Sequence, residues 1–359
     1  MEIAKVMAIV NPWAGIGNGL RCYKKIIKWK DAAAKEGLKV DGFLTEKEGD
    51  RCAVNLAKNA VQNGYGLIVS CGGDGTLNEV VNGTMGSDVP ILSLRVGNGN
   101  DFAKAVGTPK NIEEALGLIK HGKIESFDVG KVNNRYFINV FGVGFDAKIS
   151  RYAEILKQKL PLAAGNLLYL IALIKEFFGG LEYFDLGLTM IDKENSSRII
   201  RAKDVTLISI ANGPTCGGIF RLAPEANPQD GVLDICLINK INRLKILRFL
   251  PKAIKGTHLS LKEVMKESDG RLPRISFLTV ASLKGQPLPC QMDGEILPAE
   301  KEYRISVFPK AQKVLVPRSF LAPDSASVRT EETAFKKIPE LQLAQVKRFR
   351  DFMLKFKLF

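Results

Sequence analysis

A glycine-rich turn between a short apolar segment and an amphipathic segment constrains this chain more than any other feature. Residues 67–69 (Leu-Ile-Val) predict a buried parallel strand, and apolar residues at helical spacing follow the turn. The turn at 72–75 is Gly-Gly-Asp-Gly, and its glycines let the backbone take positive φ and let a ligand approach closely. The start of a helix offers unpaired N–H groups that suit a phosphate. The spacing alone is equally typical of a structural β–α turn.

Asp74 is unusual in such a turn, because a carboxylate repels phosphates unless a cation lies between them. We therefore expect a metal ion that bridges Asp74 to nucleotide phosphates. Thr76 and Glu79 have the spacing of a capping box, which predicts that the helix begins at Thr76.

Composition limits the partners of the chain. Its 359 residues are enough for two domains, and its net charge of +14 favours anionic partners such as nucleotides or an acidic membrane surface. No nucleic-acid-binding motif accompanies this charge, so we predict no nucleic-acid partner.

The six cysteines form no C-x-x-C pair and the two histidines lie in no cluster, which argues against a zinc site or a catalytic triad. The first ten residues predict a strand and not a secretory signal, so we expect a cytoplasmic protein.

Strands alternate with helices at short spacing over residues 1–126, which predicts an α/β domain with a doubly wound, mainly parallel sheet. Predicted strands end just before Asn11, Thr45, Gly72 and Gly97, so these residues should share the carboxyl edge where such sheets bind ligands. Over residues 127–317, alternating segments predict a mainly antiparallel β-sandwich as the second domain.

Three further segments have more than one interpretation. A leucine-rich segment at 160–178, too short to span a bilayer, predicts either a buried helix or one that contacts acyl chains. A basic amphipathic helix at 240–250 is expected to end or kink at Pro251. Residues 318–359 predict a linker and a basic amphipathic tail, which suits either an anionic phospholipid surface or a protein contact such as a homodimer.

Acidic residues recur after glycines elsewhere in the chain. Asp101 lies in the run Gly-Asn-Gly-Asn-Asp-Phe-Ala at 97–103, Asp230 precedes Gly231, and Asp293-Gly294-Glu295 follows Met292. The structural alternatives are a helix N-terminal aspartate for the first and tight turns for the other two.

Five motifs, in order, resemble a known family. The run at 72–79, Gly-Gly-Asp-Gly-Thr-x-Asn-Glu, resembles the superfamily of diacylglycerol, sphingosine and ceramide kinases, NAD kinases and phosphofructokinases. The run at 97–103 resembles a motif of the lipid kinases alone, with Asn98 where threonine or serine is usual. Segments 142–147, 222–231 and 291–295 also resemble the diacylglycerol kinase catalytic-domain family.

The resemblance implies an ATP-dependent lipid kinase that uses Mg²⁺ and associates peripherally with a membrane. It implies that Asp74 and Asp101 are catalytic through Mg²⁺ and that Glu295 is the general base. The implied nucleotide-binding residues are Asn11, Pro12, Gly15, Thr45, Gly72, Gly73, Asp74, Gly75, Thr76, Leu77, Asn78, Asn98 and Asp293. A second, structural Mg²⁺ is implied at Asp230, Asn227 and Val232.

Two alternatives are a soluble-substrate kinase of the NAD kinase type and an inactive nucleotide- or lipid-binding protein. The runs at 100–103 and 293–295 weigh against the first. The intact acidic residues at 74, 101 and 295 weigh against the second. The motifs do not identify the lipid acceptor, because the shape of the pocket sets that choice.

Overall fold

The computed structural model of the chain describes residues 3–46, 51–159, 171–172, 175–176 and 179–321. Most of the predicted helix at 160–178 and the tail from residue 322 onwards therefore lie outside the described residues. Among the helices within those ranges, none is both long and apolar enough to cross a membrane.

The first part of the chain alternates strands and helices as predicted. Its elements are β1 (Lys5–Val10), α1 (Asn18–Ala34), β2 (Lys39–Leu44), α2 (Cys52–Gln62), β3 (Leu67–Gly72), α3 (Asp74–Thr84), β4 (Ile91–Arg95), α4 (Asp101–Ala105), α5 (Ile112–His121) and β5 (Lys123–Val132). Strands β2, β1, β3 and β4 are parallel neighbours in that order. Successive residues of β1 enter two apolar clusters, Val6 and Ala8 one and Met7 and Ile9 the other, so both faces of the sheet are covered.

The second part of the chain is mainly antiparallel, which confirms the predicted fold class. Its elements are β6 (Arg135–Phe137), β7 (Val140–Gly144), α6 (Phe145–Lys159), β8 (Phe184–Ile191), β9 (Ser197–Val205), β10 (Leu207–Ala211), β11 (Leu233–Ile238), α7 (Arg243–Lys255), β12 (Arg274–Ile275), β13 (Phe277–Ser282), β14 (Leu288–Met292), β15 (Glu295–Glu300) and β16 (Glu302–Val316). One sheet has the order β12–β11–β10–β7–β14–β15. Its inner face packs on the β16–β13–β8–β9 part of the other sheet, with Phe141 and Ile208 opposite Leu188 and Leu278 in one core.

Strand β16 joins the two domains. It pairs with β13 and β5 along most of its length, and Val314 pairs with Ile91 of β4 in parallel. One of the alternating segments that predict the second domain covers residues 303–308, so the sequence predicts only the first part of this strand. The strand continues because a bulge after Phe308, where Lys310 has a φ of +52°, shifts the register before pairing resumes at Gln312.

Helix α7 corrects a second boundary, because it runs through Pro251 to Lys255. The Asn242 side chain accepts a hydrogen bond from the Lys245 N–H at its start, and Gly256, with a φ of +73°, ends it. A proline removes only one backbone hydrogen bond, so well-formed ends and a packed face can retain the helix around it.

We expect the contact between α3 and β16 to contribute measurably to stability. The buried Thr84 hydroxyl donates a hydrogen bond to Gln312 Oε1 at 2.8 Å. Thr84→Val keeps the shape but leaves that buried oxygen without this donor, so the free energy of unfolding in a urea titration should fall by about 1–3 kcal/mol. Thr189→Val, at a half-exposed position of β8, is the control and should change it by less than about 0.5 kcal/mol. Equal effects of the two variants would contradict the expectation.

Candidate functional site

Loops from four parallel strands meet at the carboxyl edge of the sheet, as predicted. The Asn11 side-chain amide donates to Thr76 Oγ1 at 3.2 Å, which links the loop after β1 to the start of α3. The Gly97 N–H donates to the Gly72 carbonyl at 3.0 Å, which links the loops after β3 and β4. Thr45, after β2, donates its N–H to the Val10 carbonyl at 2.9 Å. Four sequence-distant loops are thereby held side by side.

The glycines of these loops are required by close backbone approach. A Cβ on Gly97 would lie 2.4 Å from the Gly73 Cα, and one on Gly15 would lie 2.1 Å from the Val96 carbonyl oxygen. A Cβ on Gly99 would lie 2.6 Å from Asp74 Oδ2. Larger residues would force the loops apart, so the glycines maintain a shallow cradle at this edge.

Helix α3 begins at Asp74 and not at Thr76, so the predicted capping box is wrong. The Leu77 N–H makes the first helical bond, to the Gly73 carbonyl at 3.0 Å. Glu79 accepts a hydrogen bond from the Ala53 N–H of α2 at 2.9 Å. Its carboxylate therefore bonds to the start of the neighbouring helix and not to the start of α3. No side chain among the described residues caps α3, which leaves its first N–H groups available to an anion.

Asp74 and Asp101 lie together over this helix start. Asp74 Oδ1 accepts the Asp101 N–H at 2.7 Å, and the Asp101 carboxylate accepts the Gly218 N–H at 2.9 Å. Gly218 belongs to a second-domain loop, and it packs so closely on Gly99 that a Cβ would lie 3.1 Å from the Gly99 Cα. The acidic pair is therefore enclosed by both domains.

The raised pKa values of this cluster of carboxylates favour the binding of a cation. Burial first, and then the nearby charges of Asp101 and Asp293, raise the pKa of Asp74 to about 7. Burial also raises the pKa of Asp101 and of Asp293 above the usual range. Clustered carboxylates that resist ionisation are stabilised by a bound divalent cation, which favours their charged forms. The oxygen donors and the uncapped helix start therefore fit a Mg²⁺–nucleotide pair.

Protein side chains do not complete a metal site on their own. Within the described ranges, no group of three histidine, cysteine, aspartate or glutamate side chains is placed to hold an ion. Mg²⁺ commonly keeps several waters and binds through one or two carboxylates plus substrate phosphates. Asp74 and Asp101 are the residues that would hold it here.

Asp293, a predicted nucleotide contact, is held by hydrogen bonds within the protein. It begins a two-residue turn between β14 and β15, where Asp293 and Gly294 have φ values of +48° and +86°. Its carboxylate accepts the N–H groups of Ile138, Asn139 and Val140 at 2.8–3.0 Å and the Asn78 amide at 2.8 Å. These four donors fill the acceptor positions of the carboxylate. Asp293 therefore fixes the backbone and adds negative charge, without a free oxygen for a ligand.

The side chains of Leu77 and Asn78, two further predicted nucleotide contacts, face the protein interior. Leu77 is buried among the apolar residues under α3. Asn78 is fully buried, and its amide donates to Asp293 and to the Tyr136 carbonyl. Helical periodicity turns both side chains inwards from the loop. By contrast, Pro12, Gly75 and Asn98 lie at least partly exposed at the sheet edge.

Glu295 follows the Asp293 turn as the first residue of β15. Its carboxylate forms an ion pair with Arg135 of β6 at 2.6 Å, and both side chains are partly exposed. The nearby charge of Glu295 contributes to the raised pKa of Glu79, after the larger effect of burial. Glu295 is therefore accessible, as a base must be, and Arg135 orients its carboxylate.

Asp146 is a site residue that the sequence analysis did not assign. Burial raises its pKa to about 6, and it accepts a hydrogen bond from the Gln291 amide at 3.2 Å. A Cβ on Gly142 would lie 1.9 Å from Asp146 Oδ2, so the glycine makes room for this carboxylate. The spacing of Gly142, Gly144 and Asp146 was the available signal, but it could not show which way the carboxylate points.

Asp146 lines an apolar pocket in the second domain. The pocket has a volume of about 50 Å³ and is lined by Phe145, Asp146, Ile149, Thr206, Leu207, Cys216, Phe220, Leu222, Ile238, Ile241, Ile246, Phe249 and Leu250. Cys216 also lines the pocket and lies near the carboxylates. The pKa of its thiol is raised by burial and then by the charges of Asp146, Asp101, Asp293 and Asp74. An apolar ligand in the pocket would place its polar end near the acidic cluster.

Cations near the cluster were also missed. Lys104 of α4 donates to the Gly218 carbonyl at 3.2 Å, and its charge acts to lower the pKa of Asp101. Arg95 ends β4 beside Gly72, and its buried Nε has no hydrogen-bond partner in the described part of the chain. Both are suited to an anionic ligand, and neither belongs to a recognisable spacing.

The three residues of the predicted structural Mg²⁺ site do lie close together. The Asp230 N–H donates to the Asn227 carbonyl at 3.3 Å, and Asp230 Oδ1 accepts the Val232 N–H at 3.2 Å. Arg274 donates to Asp230 Oδ2 at 2.7 Å and also lies 3.6 Å from Asp234. The Lys193 ammonium donates to the Asp230 carbonyl at 2.9 Å. Protein cations therefore already face the group that would bind the ion.

The raised pKa of Asp74 predicts a pH dependence of stability. A carboxyl whose folded-state pKa is raised from 3.8 to about 7 stabilises the fold below its unfolded pKa, and this contribution is lost as pH rises through about 7. In EDTA without nucleotide, the wild type should lose about 1–3 kcal/mol of unfolding free energy relative to Asp74→Asn between about pH 5 and pH 8. Urea titrations of both proteins at each pH measure this difference. Parallel pH profiles would show that Asp74 titrates normally.

Comparisons with known proteins agree with this geometry. Residues 5–132 match the diacylglycerol kinase catalytic domain family, and residues 139–316 match the YegS C-terminal NAD kinase beta sandwich-like domain. A diacylglycerol kinase of Mycobacterium tuberculosis is 29% identical over 88% of this chain and 96% of its own length. One of Staphylococcus epidermidis is 30% identical over 64% of this chain and 70% of its own length.

A solved structure shares the fold. A diacylglycerol kinase from Bacillus anthracis superposes with a TM-score of 0.61 at 21% identity and covers 89% of this chain and 100% of its own. The sequence matches span both domains that carry the acidic cluster. The chain therefore belongs to the diacylglycerol kinase catalytic-domain family.

Proposed function

We propose that the protein is an ATP-dependent lipid kinase that transfers the γ-phosphate to the hydroxyl of diacylglycerol or a related glycerolipid or sphingolipid. One observation carries the proposal. Asp74, with its raised pKa, lies at the uncapped start of α3 inside a glycine cradle, and Cys216 connects this cluster to an apolar pocket. The cradle suits nucleotide phosphates, and the pocket suits an acyl chain. The relatives named diacylglycerol kinase support the same class of acceptor.

The nucleotide side of the reaction uses the first domain. The first N–H groups of α3 are placed to bind phosphate oxygens, and Asp74 and Asp101 would hold Mg²⁺ with them. Bound Mg²⁺ would neutralise charge between the carboxylates and the phosphates. Lys104 and Arg95 add positive charge to the same edge. Asp293 and Asn78 stabilise the start of α3 relative to the second domain. Asn78 donates to Asp293, and Asp293 accepts hydrogen bonds from the backbone at 138–140.

The transfer step needs one base. The oxygen of the lipid hydroxyl forms a bond to the γ-phosphorus as the bond between that phosphorus and the β–γ bridging oxygen breaks, and ADP departs with the bridging electrons. Glu295 accepts the hydroxyl proton, and Arg135 holds the carboxylate in position. Positioning and charge neutralisation supply most of the acceleration in such reactions.

The lipid side uses the second domain. Its apolar pocket is lined by Asp146, whose carboxylate would accept a hydrogen bond from a polar head group. The volume of about 50 Å³ is small for an acyl chain, so the lining must open when a lipid binds. The NAD kinase alternative loses support, because an apolar pocket does not suit a charged dinucleotide. Peripheral membrane association, in the cytoplasm and on anionic phospholipid, follows from an acceptor that resides in a bilayer.

Phosphorylation of a lipid panel tests the function. Purified protein with radiolabelled ATP and Mg²⁺ should label diacylglycerol or a close analogue and should not label NAD. Glu295→Gln should lower kcat by roughly 10²–10⁴-fold with ATP affinity little changed, because only the proton acceptor is lost. Asp74→Ala should abolish turnover by removing the Mg²⁺ contact. ATP binding without labelling of any lipid would support the inactive binding protein, and labelled NAD would support the soluble-substrate kinase.

We propose that Arg274 supplies the positive charge at Asp230 in this chain, in place of a structural Mg²⁺ on Asp230, Asn227 and Val232. The ion pair at 2.7 Å takes one oxygen of the carboxylate that the ion would need. Two cations would repel each other at this distance from one carboxylate. The test uses nucleotide-free protein carrying Asp74→Asn, so that the acidic cluster does not bind the ion, and its melting temperature should be the same with EDTA as with Mg²⁺.

Arg274→Ala, added to the same Asp74→Asn protein, makes this proposal falsifiable. The variant should melt at a lower temperature, because Asp230 and the buried Asp234 lose their cation, and added Mg²⁺ should recover part of the loss. Arg198→Ala, which removes an ion pair with Glu267 at the protein surface, is the control and should stay insensitive to Mg²⁺. An Asp74→Asn protein destabilised by EDTA, with Asp74→Asn/Asp230→Asn insensitive, would restore the Mg²⁺ site.

A further inference from the structure

Exposed apolar side chains concentrate around α1. The part of the chain that the structure describes has twelve large hydrophobic residues with exposed side chains, and six of them fall within residues 13–44. These six are Trp13, Ile16, Leu20, Ile27, Phe43 and Leu44. The other six are spread from residue 124 to residue 321. Scattered exposed apolar residues are ordinary, whereas a local concentration indicates a binding surface.

The fold brings four of these residues together on α1 and the loop that precedes it. Trp13 and Ile16 lie in the loop that leads into α1, and Leu20 and Ile27, seven residues apart, share one helix face. The inner face of α1 packs on β2, where a Cβ on Gly42 would lie 3.5 Å from the side chains of Ile26 and Tyr23. Leu44, two residues further along β2, is on the same face of the strand and nearer the start of α1. We call the exposed residues 13, 16, 20 and 27 the α1 surface.

The positive charge around the α1 surface favours an anionic partner. Helix α1 contains five basic residues and one acidic residue. Arg21, Lys24 and Lys28 are exposed next to the apolar residues, and none of the three forms an ion pair with a described residue. Apolar side chains surrounded by lysine and arginine match an anionic lipid surface. A second copy of the chain would present the same positive charge and be repelled.

The α1 surface also lies next to the reaction site. The loop that carries Trp13 begins at Asn11, which bonds to Thr76 at the start of α3, and Gly15 contacts the Val96 carbonyl beside the Gly97 loop. A bilayer against the α1 surface would therefore lie beside the nucleotide cradle.

We propose that the α1 surface docks the protein onto anionic bilayers, with Trp13, Ile16, Leu20 and Ile27 entering the interface and Arg21, Lys24 and Lys28 contacting lipid phosphates. This inference rests on the proposed lipid substrate, because an acceptor that resides in a bilayer requires the enzyme to approach it. The docking surface belongs to the first domain, whereas the lipid pocket belongs to the second.

Sedimentation of the full chain with vesicles tests the proposal. The vesicles are phosphatidylcholine alone or phosphatidylcholine mixed with phosphatidylglycerol. Leu20→Gln/Ile27→Gln should weaken binding to the mixed vesicles roughly tenfold, because two half-exposed apolar side chains no longer enter the interface. Arg21→Gln/Lys24→Gln/Lys28→Gln should abolish the preference for the anionic vesicles. Ile199→Gln, at a 78% exposed position of β9, is the matched control and should bind as the wild type does.

Tryptophan fluorescence supplies a second measurement that does not depend on affinity. The chain has two tryptophans, Trp13, which is 55% exposed, and the half-buried Trp29. Mixed vesicles should shift the emission of the wild type and of Trp29→Phe to shorter wavelength. The shift should be lost in Trp13→Phe. An unchanged wild-type spectrum in the presence of bound vesicles would overturn the proposal.

The remaining outcomes separate this inference from the proposed function. Unchanged vesicle binding by the Leu20→Gln/Ile27→Gln variant would overturn the α1 surface and assign docking to another part of the chain, such as the basic tail. A change in the oligomeric state of that variant in light scattering, with vesicle binding intact, would assign the surface to a second copy. Phosphorylation of a short-chain, water-soluble diacylglycerol is measured separately. If no short-chain member of the lipid panel were phosphorylated either, the kinase function would be overturned and the vesicle results would be unaffected.

Discussion

The hydrogen bonds to the Asp293 carboxylate are the interaction on which the rest of the site depends. They join three elements that are distant in sequence: the turn before β15, the backbone at 138–140 before β7, and Asn78 on α3. Asn78 belongs to the α/β domain and the other two belong to the sandwich. A buried carboxylate is retained only if its acceptor positions are filled, so the turn, the loop and the helix must assemble together. The arrangement places Asp74 within the field of Asp293 and places Glu295 next to Arg135.

The acidic cluster opposes the stability of the protein in the absence of a ligand. Asp74, Asp101, Asp146 and Asp293 are close enough that each of them raises the pKa of the Cys216 thiol between them. Such a group of carboxylates is tolerated because backbone N–H groups compensate part of the charge, as the Gly218 N–H does for Asp101. The uncompensated part favours a divalent cation and, with it, a nucleotide. The strain between like charges therefore becomes binding free energy when the ligand arrives.

Local patterns predicted the first domain well and the partners of its polar residues poorly. The strand ends at Asn11, Thr45 and Gly72 were predictable, because apolar runs and glycine stops are encoded over a few residues. The capping box failed because Glu79 found a better partner in α2, and only the tertiary packing of α2 on α3 brings Ala53 within reach. The role of Asp293 depended on donors about 155 residues away. Sequence spacing carries no information on such contacts.

The fold of the second domain was also predictable, whereas its strand ends and the partners of its charged residues were not. Its sandwich was predictable from alternation, but β16 was cut short because a bulge at 309–311 breaks the period of two. The pairing of Arg274 with Asp230 likewise follows from the antiparallel pairing of β12 and β11, which places Arg274 opposite Asp234. A motif shared with a family therefore identifies the position of a carboxylate such as Asp230. It does not identify whether a metal ion or a protein side chain neutralises the charge of that carboxylate. In this chain a strand neighbour provides the charge at Asp230, whereas at Asp74 the described residues provide only backbone donors and distant cations. The unbalanced site is the one suited to bind Mg²⁺ with ATP, and the balanced one is suited to hold the fold.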